Sequence, residues 1–158
     1  MSQSEASLYT STKSYYNYPC CHRQWRHPGH CAYVHGYSRS FHFEFQCREL
    51  DEYGFVMDFG NLKPVKVLLS EWFDHTLLLN EDDPLLPSFR ELDAQGACRL
   101  KVMKNCSMEG TARFLYDQVN RIVQDLTQGR VWCTRIEVRE NDKNSAFYTA
   151  PPTGLAHT

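Results

Sequence analysis

Four side chains able to bind a soft metal or move a proton, His22, His30, Cys31 and His35, fall within one short run from Cys20 to Tyr37. Five of the seven histidines lie between positions 22 and 42. A zinc ion wants three or four nitrogen, sulfur or oxygen donors, and a catalytic ion keeps one position open. His22 and His35 can supply two of them; the alternative is that each is a hydrogen-bonded surface or interface histidine. Cys31 sits four residues before His35 with Arg23, Arg26 and Arg39 nearby in sequence, a setting that favours the thiolate and suits a base or nucleophile. The competing reading is a packed apolar cysteine, which is the expectation for most of the seven.

Two further positions carry candidate chemistry. Asp74-His75 is a carboxylate beside an imidazole, a recurring acid/base device, although the same dipeptide at a helix end also serves as a cap. Glu140 falls on the strand parity of Ile136 and Val138, where an apolar side chain is expected, so its carboxylate needs a partner. Arg135 or Arg139 can supply one, and so can water at the strand end. A ligand presenting paired N–H donors, such as the amino-pyrimidinone edge of a pterin or guanine, is the functional alternative.

The elements that must position these groups follow from hydrophobic period. Phe41, Phe43, Phe45 and Cys47 alternate with polar residues over 39–47, which predicts a strand with one dry face. Residues 8–16 and 53–59 are its expected partner strands. Residues 61–73 read as a helix with Pro64 in its first turn and Leu62, Val65, Leu69 and Trp72 on one face. Ser88 and Glu91 form a capping-box signal closed by Gly96, which predicts a short helix, with a strand at 99–104 after it. Met108, Ala112, Leu115, Val119, Ile122 and Leu126 mark a long amphipathic helix, capped by Ser107 and stopped at Gly129. Over 131–140, alternation predicts a last strand with Trp132, Thr134, Ile136, Val138 and Glu140 on one side. The class is α+β with helices on one face of an antiparallel sheet, in a single domain over 8–148. Residues 1–7 and 149–158 read as flexible ends.

Composition narrows the function classes. The net charge of −2 argues against a broad nucleic-acid surface, and no apolar run approaches a membrane span. The start lacks the basic-then-apolar pattern of a secretory signal, and the cysteines fit neither a disulfide framework nor paired Cys-x-x-Cys. A cytoplasmic, reducing location and a small anionic ligand are the expectations.

Cys31-x-x-x-His35-Gly-Tyr37, Asp58-Phe-x-x-Leu62-Lys63, Phe73-Asp-His75 with Leu79-Asn80, Glu109 before Ala112-x-x-Leu115-Tyr116, and Glu140 with Ala146 and Tyr148 occur in order. Together they resemble the 6-pyruvoyl-tetrahydropterin synthase and 6-carboxytetrahydropterin synthase family over most of residues 13–148. The short Cys31-to-His35 interval is more similar to the 6-carboxytetrahydropterin branch.

The resemblance implies a tunnelling fold: a four-stranded antiparallel sheet with two helices on one face, assembled as trimers or hexamers with active sites at subunit interfaces. It implies a zinc-dependent lyase that converts 7,8-dihydroneopterin triphosphate to 6-carboxytetrahydropterin, on the route to 7-deazaguanines such as queuosine. A 6-pyruvoyl product, or pterin or purine binding without metal or catalysis, are the alternatives; a small zinc-dependent nucleic-acid module is a third. By the resemblance, His22 and His35 match zinc ligands, Cys31 the proton acceptor, Asp74 and His75 a relay, and Glu140 the pterin anchor. Three departures stand out. Tyr37 occupies the place of the second histidine of a His-x-His pair, leaving the third ligand to its phenol, to His30, or to a thiol of Cys20 or Cys21. Asn105-Cys106-Ser107 replaces a Pro-Thr or Pro-Ser before the long helix. Residues 84–100 are an added stretch expected at a rim or interface, and Gln24-Trp25-Arg26 is an insertion whose Arg26, with Arg23, is expected to hold phosphate.

Overall fold

The computed structural model describes residues 7–151. The chain runs β1 (Tyr9–His22), β2 (His35–Cys47), α1 (Lys63–Phe73), β3 (Thr76–Asn80), α2 (Leu86–Ala94), β4 (Leu100–Met103), α3 (Met108–Thr127), β5 (Val131–Arg139) and β6 (Ser145–Thr149). Short 3₁₀ turns at His30–Ala32 and Phe59–Leu62 interrupt two of the connections. The strands form one sheet in the order β4-β3-β1-β2-β5-β6. The central β1–β2, β2–β5 and β5–β6 pairs are antiparallel, whereas β1–β3 and β3–β4 are parallel.

The sheet is therefore six-stranded and mixed, not the four-stranded antiparallel sheet expected. The two parallel additions are short. Thr76–Leu79 are all buried and non-alternating, as strands flanked on both sides tend to be, so period-two reading passes over them. Residues 53–59 form a turn and the start of a 3₁₀ helix instead of a strand. Asp51 Oδ1 there accepts from the backbone N–H groups of Tyr53 and Phe55 at 3.0 and 2.8 Å, and Gly54 takes a left-handed φ of 81°. These local bonds compete with a ladder. β6 extends to Thr149, past the predicted domain edge at 148, and Ala150 N–H donates to the Thr134 carbonyl at 2.8 Å. Residues 1–6 and 152–158 of the predicted loose ends lie outside the described residues.

α1 and α3 cover one face of the sheet. Val65, Leu69 and Phe73 from α1 and Ala112, Leu115, Val119 and Val123 from α3 meet Phe41, Phe43 and Phe45 from β2 in a fully buried cluster. Each Val, Leu and Phe among them contributes roughly 1.5–3 kcal/mol by leaving water. Ser107 caps α3, accepting from the Gly110 N–H at 3.0 Å, and Gln128 with Gly129 closes it in left-handed geometry. α2 contributes nothing to the buried cluster. It begins at Leu86 with Pro87 in its first turn, two residues before the expected Ser88 cap, and ends before Gly96 at φ 79°. Among the described residues, no helix is long and apolar enough to cross a membrane.

Two β-bulges decide which side chains reach the helix-covered face. In β1, Tyr15 pairs with Phe41 and Tyr18 with Arg39, so Tyr16 and Asn17 stand opposite Ser40 alone. Asn17 absorbs the extra residue at φ 68°, a conformation asparagine tolerates better than most. The step moves Tyr18, Cys20 and His22 onto the side that odd-numbered Tyr15 faces. In β5, Arg135 pairs with Glu44 but Cys133 with Phe45, so the core-facing set is Val131, Cys133, Ile136 and Val138. Trp132 and Thr134 thus lie opposite Ile136, contrary to an uninterrupted alternation. Glu140, one residue past the strand, keeps the phase of Ile136 and Val138.

Candidate active site

His22 ends β1 and His35 begins β2, and the two are Cα partners at the open end of the ladder. Their ring centroids lie 4.6 Å apart. Gly36 makes this approach possible: a Cβ there would sit 2.2 Å from the Cys20 carbonyl oxygen and 2.7 Å from the Cys21 Cα. Glu140 enters from the end of β5. One nitrogen of each ring and a carboxylate oxygen of Glu140 all lie within 4.8 Å of one another. Neither proposed arginine holds Glu140 in place. Arg139 binds Glu137 and the Asp142 carbonyl, and Arg135 stacks over the Phe147 ring at 4.0 Å.

A side chain the sequence reading did not place at the site lies beneath it. Arg39 is 1% exposed; its Nη2 donates to His22 Nδ1 at 2.9 Å and its Nη1 to Thr111 Oγ1 of α3 at 3.2 Å. Among the described residues it forms no ion pair. Its signal in the sequence was its parity: it shares the dry side of β2 with Phe41, Phe43 and Phe45. Burial above all, then the charge of Arg39 and then His35, pushes His22 down to about 3, so the ring is neutral near pH 7. His35 is oriented from the other direction, by its Nδ1 contact with the Tyr33 carbonyl at 2.7 Å. Burial also holds the nearby Cys20 and Cys106 thiols up at about 11, which keeps them neutral and removes Cys20 as a ready thiolate donor.

The segment between the two histidines is fastened to the rest of the fold. Cys106 N–H donates to Asn80 Oδ1 at 2.8 Å, Asn80 Nδ2 to Gln24 Oε1 at 3.3 Å, and Cys106 Sγ to the Arg23 carbonyl at 3.5 Å. The Asn105-Cys106-Ser107 departure thus ties the start of α3 to the chain just after His22. Arg23 itself is bound to the fully buried Asp83 side chain at 2.7 and 3.0 Å and to the Ala32 carbonyl, so its guanidinium is committed to structure. Arg26 is exposed, pairs with Asp82 at 2.9 Å and lies over Trp25.

Cys31 lies half-buried on the 3₁₀ turn, whose backbone is held by Gln24 N–H donating to the Cys31 carbonyl at 2.9 Å. His30 beside it is exposed and stands outside the His22–His35–Glu140 group. Tyr37 is 46% exposed, lies edge-on to His35 at 6.4 Å and lines a groove with Cys21, His75, Cys98 and Arg99. Asp74 and His75 do pair, Oδ1 to Nδ1 at 2.6 Å, at an exposed corner where His75 adopts φ 56°. His75 is pinned there by its N–H, which donates to the Pro19 carbonyl at 2.7 Å. Within one chain His75 lines the Tyr37 groove, and neither it nor Asp74 belongs to the imidazole–carboxylate group.

Residues 11–151 match the model of the 6-pyruvoyl tetrahydropterin synthase family. The chain belongs to that family. Its relatives include proteins named 6-carboxy-5,6,7,8-tetrahydropterin synthase from Aquifex aeolicus and Bacillus subtilis. The first is 26% identical over 75% of this chain and 75% of its own length, the second 28% over 80% and 75%. The fold is shared with an uncharacterized protein from Wolinella succinogenes, at TM-score 0.77, 21% identity and coverage of 92% of this chain and 99% of that one. It is shared also with the Plasmodium vivax 6-pyruvoyl tetrahydropterin synthase, at TM-score 0.64, 14% identity and coverage of 89% and 97%.

The family resemblance implies zinc, and the side chains at the site bear on whether this member can hold it. Donors around a tetrahedral zinc with bonds of about 2.0–2.1 Å stand roughly 3.4 Å apart. The three candidate donors lie within 4.8 Å of one another. The harder obstacle is His22, whose Nδ1 is occupied by a donor-only guanidinium, and the family's remaining histidine position is Tyr37, a phenol whose ring lies 6.4 Å from that of His35. As arranged, the residues do not fit a zinc ion held by both imidazoles.

Proposed function

We propose that the cleft between His22, His35 and Glu140 binds the pterin of 7,8-dihydroneopterin triphosphate. In this reading the chain is a 6-carboxytetrahydropterin synthase-like lyase, on a route toward 7-deazaguanines. The observation that carries the proposal is the meeting of three residues from 22, 35 and 140, brought within 4.8 Å by three strands. The names of the relatives support the same assignment.

Glu140 has the properties of a ring anchor. Its carboxylate is half-buried, unpaired among the described residues, and able to accept both N–H donors of the amino-pyrimidinone edge. The ring's C6 side chain then extends toward His22 and His35. Cys31 takes a proton from a side-chain carbon, and His75, oriented by Asp74, returns one. Because the Asp74–His75 corner lies apart from the imidazole pair in one chain, the relay joins the reaction across a subunit boundary, as a trimer or hexamer would allow. Arg26, exposed and paired with Asp82 over the Trp25 ring, is the available cation for the triphosphate; Arg23 is not.

Incubation of the purified chain with 7,8-dihydroneopterin triphosphate tests this directly. Release of triphosphate and acetaldehyde with a product of 6-carboxytetrahydropterin mass is expected. Triphosphate without acetaldehyde indicates the 6-pyruvoyl product. Neither, with pterin still bound, indicates a binding protein that lacks the lyase activity.

A further inference from the structure

The nitrogens of His22 and His35 are committed in opposite senses. A guanidinium only donates, so the Arg39 Nη2 contact at 2.9 Å makes Nδ1 of His22 an acceptor and puts that ring's hydrogen on Nε2. A carbonyl only accepts, so the Tyr33 contact at 2.7 Å puts the hydrogen of His35 on Nδ1 and leaves Nε2 bare. A histidine that ligates a metal needs its coordinating nitrogen bare and its other N–H directed at an acceptor. His35 meets that requirement. His22 does not, because its bare nitrogen faces a buried, permanently charged arginine.

We infer that His22 and His35 act without a resident metal, as a donor–acceptor imidazole couple that holds the vicinal oxygens of the ligand's side chain. The Nε2–H of His22 donates to one oxygen. The bare Nε2 of His35 accepts from the hydroxyl beside it. Arg39 is the positioning residue: it sets the tautomer of His22, and its charge increases the polarity of the His22 N–H, supplying part of the polarisation a metal cation otherwise gives. Thr111 holds Arg39 from the α3 side at 3.2 Å. Tyr37 then needs no ligating role. The ligand class rests on the pterin reading above, whereas the opposed tautomers rest only on the Arg39 and Tyr33 contacts.

The test uses the full chain labelled with ¹⁵N. Long-range proton–nitrogen spectra of the imidazoles, recorded before and after addition of excess zinc, report the tautomer of each ring. His22 is expected as the Nε2–H form and His35 as the Nδ1–H form in both spectra, and zinc retained after desalting is expected well below one equivalent per chain. In Arg39→Met, the His22 preference is expected to relax toward a mixture of tautomers. A His22 ring found as Nδ1–H in the unsubstituted chain, or one equivalent of retained zinc that His22→Ala abolishes, overturns the inference. An unchanged His22 tautomer in Arg39→Met overturns the role given to Arg39. Failure of pterin turnover overturns the lyase reading and leaves these spectra as they are, so the two can fail separately.

Discussion

His22 and Glu140 reach the same side of the sheet because β1 and β5 each carry one bulge. The first lies between Tyr15 and Tyr18, the second between Cys133 and Arg135. An unbroken β1 would turn Cys21 rather than His22 toward the helix-covered face. Bulges recur beside active sites for this reason, since one inserted residue re-aims every side chain beyond it. The left-handed Asn17 is the hinge of the first. Asn17→Val places a β-branched residue in that conformation and is expected to cost about 1–2 kcal/mol of stability, while Asn17→Gly is nearly neutral. Urea unfolding of both variants checks the difference, with pterin affinity lost only in the valine variant.

Glu140 is the proposed ring anchor and carries no ion pair among the described residues. Glu140→Gln keeps the shape but loses the charge and one acceptor, so pterin binding should weaken by about 1.5–3 kcal/mol, or roughly ten- to a hundredfold. Thermal stability should move by less than about 0.5 kcal/mol. Fluorescence titration with a stable pterin, beside a melting curve, separates these effects.

Asp74 orients His75 at an exposed corner, with the two side chains 46% and 83% accessible. The pair therefore adds little to stability but fixes the imidazole through Nδ1. Asp74→Asn should lower kcat by about 100-fold with KM little changed and the fold intact. A parallel loss of folding would point to a capping role instead.

His42 sits on the uncovered side of β2, where Ser14 Oγ meets its Nδ1 at 2.7 Å and Ser40 Oγ its Nε2 at 3.0 Å. Burial lowers its pKa first, opposed by Glu137 and assisted by Arg139. Because the folded value lies below that of the unfolded chain, the contribution to stability is present above pH ~6.5 and is lost as pH falls through the folded value. The urea midpoint should fall between pH 7.5 and pH 5. His42→Gln should show a smaller drop over the same interval.

Much of the fold is legible in residue order where one face is wet. The alternation from Phe41 to Cys47 and the helical spacing from Met108 to Leu126 both correspond to elements in the structure. What escaped has a physical reason in each case. Thr76–Leu79 are buried on every side and carry no period. The bulges are one-residue events that hydrophobic pattern registers only as a changed phase, so the alternation over 131–140 predicts that strand without its flip. At the site, the histidine run and the out-of-place Glu140 were visible because polar groups stood where chemistry or apolar side chains belonged. Arg39 broke the same rule, a charge in the series Phe41, Phe43, Phe45. Its partner, however, lay across a strand pair and a helix, a relationship that residue order alone does not display. Residue order likewise does not display that Arg23 is committed to the buried Asp83, sixty residues away, rather than free for phosphate.

A crystal structure of the chain with neopterin bound examines the central assignment most directly. The amino-pyrimidinone edge is expected on the Glu140 carboxylate, with the hydroxylated side chain lying between His22 and His35. A pterin seated elsewhere with Glu140 turned to solvent, or a ring inverted so that its side chain points away from the two imidazoles, would contradict the account.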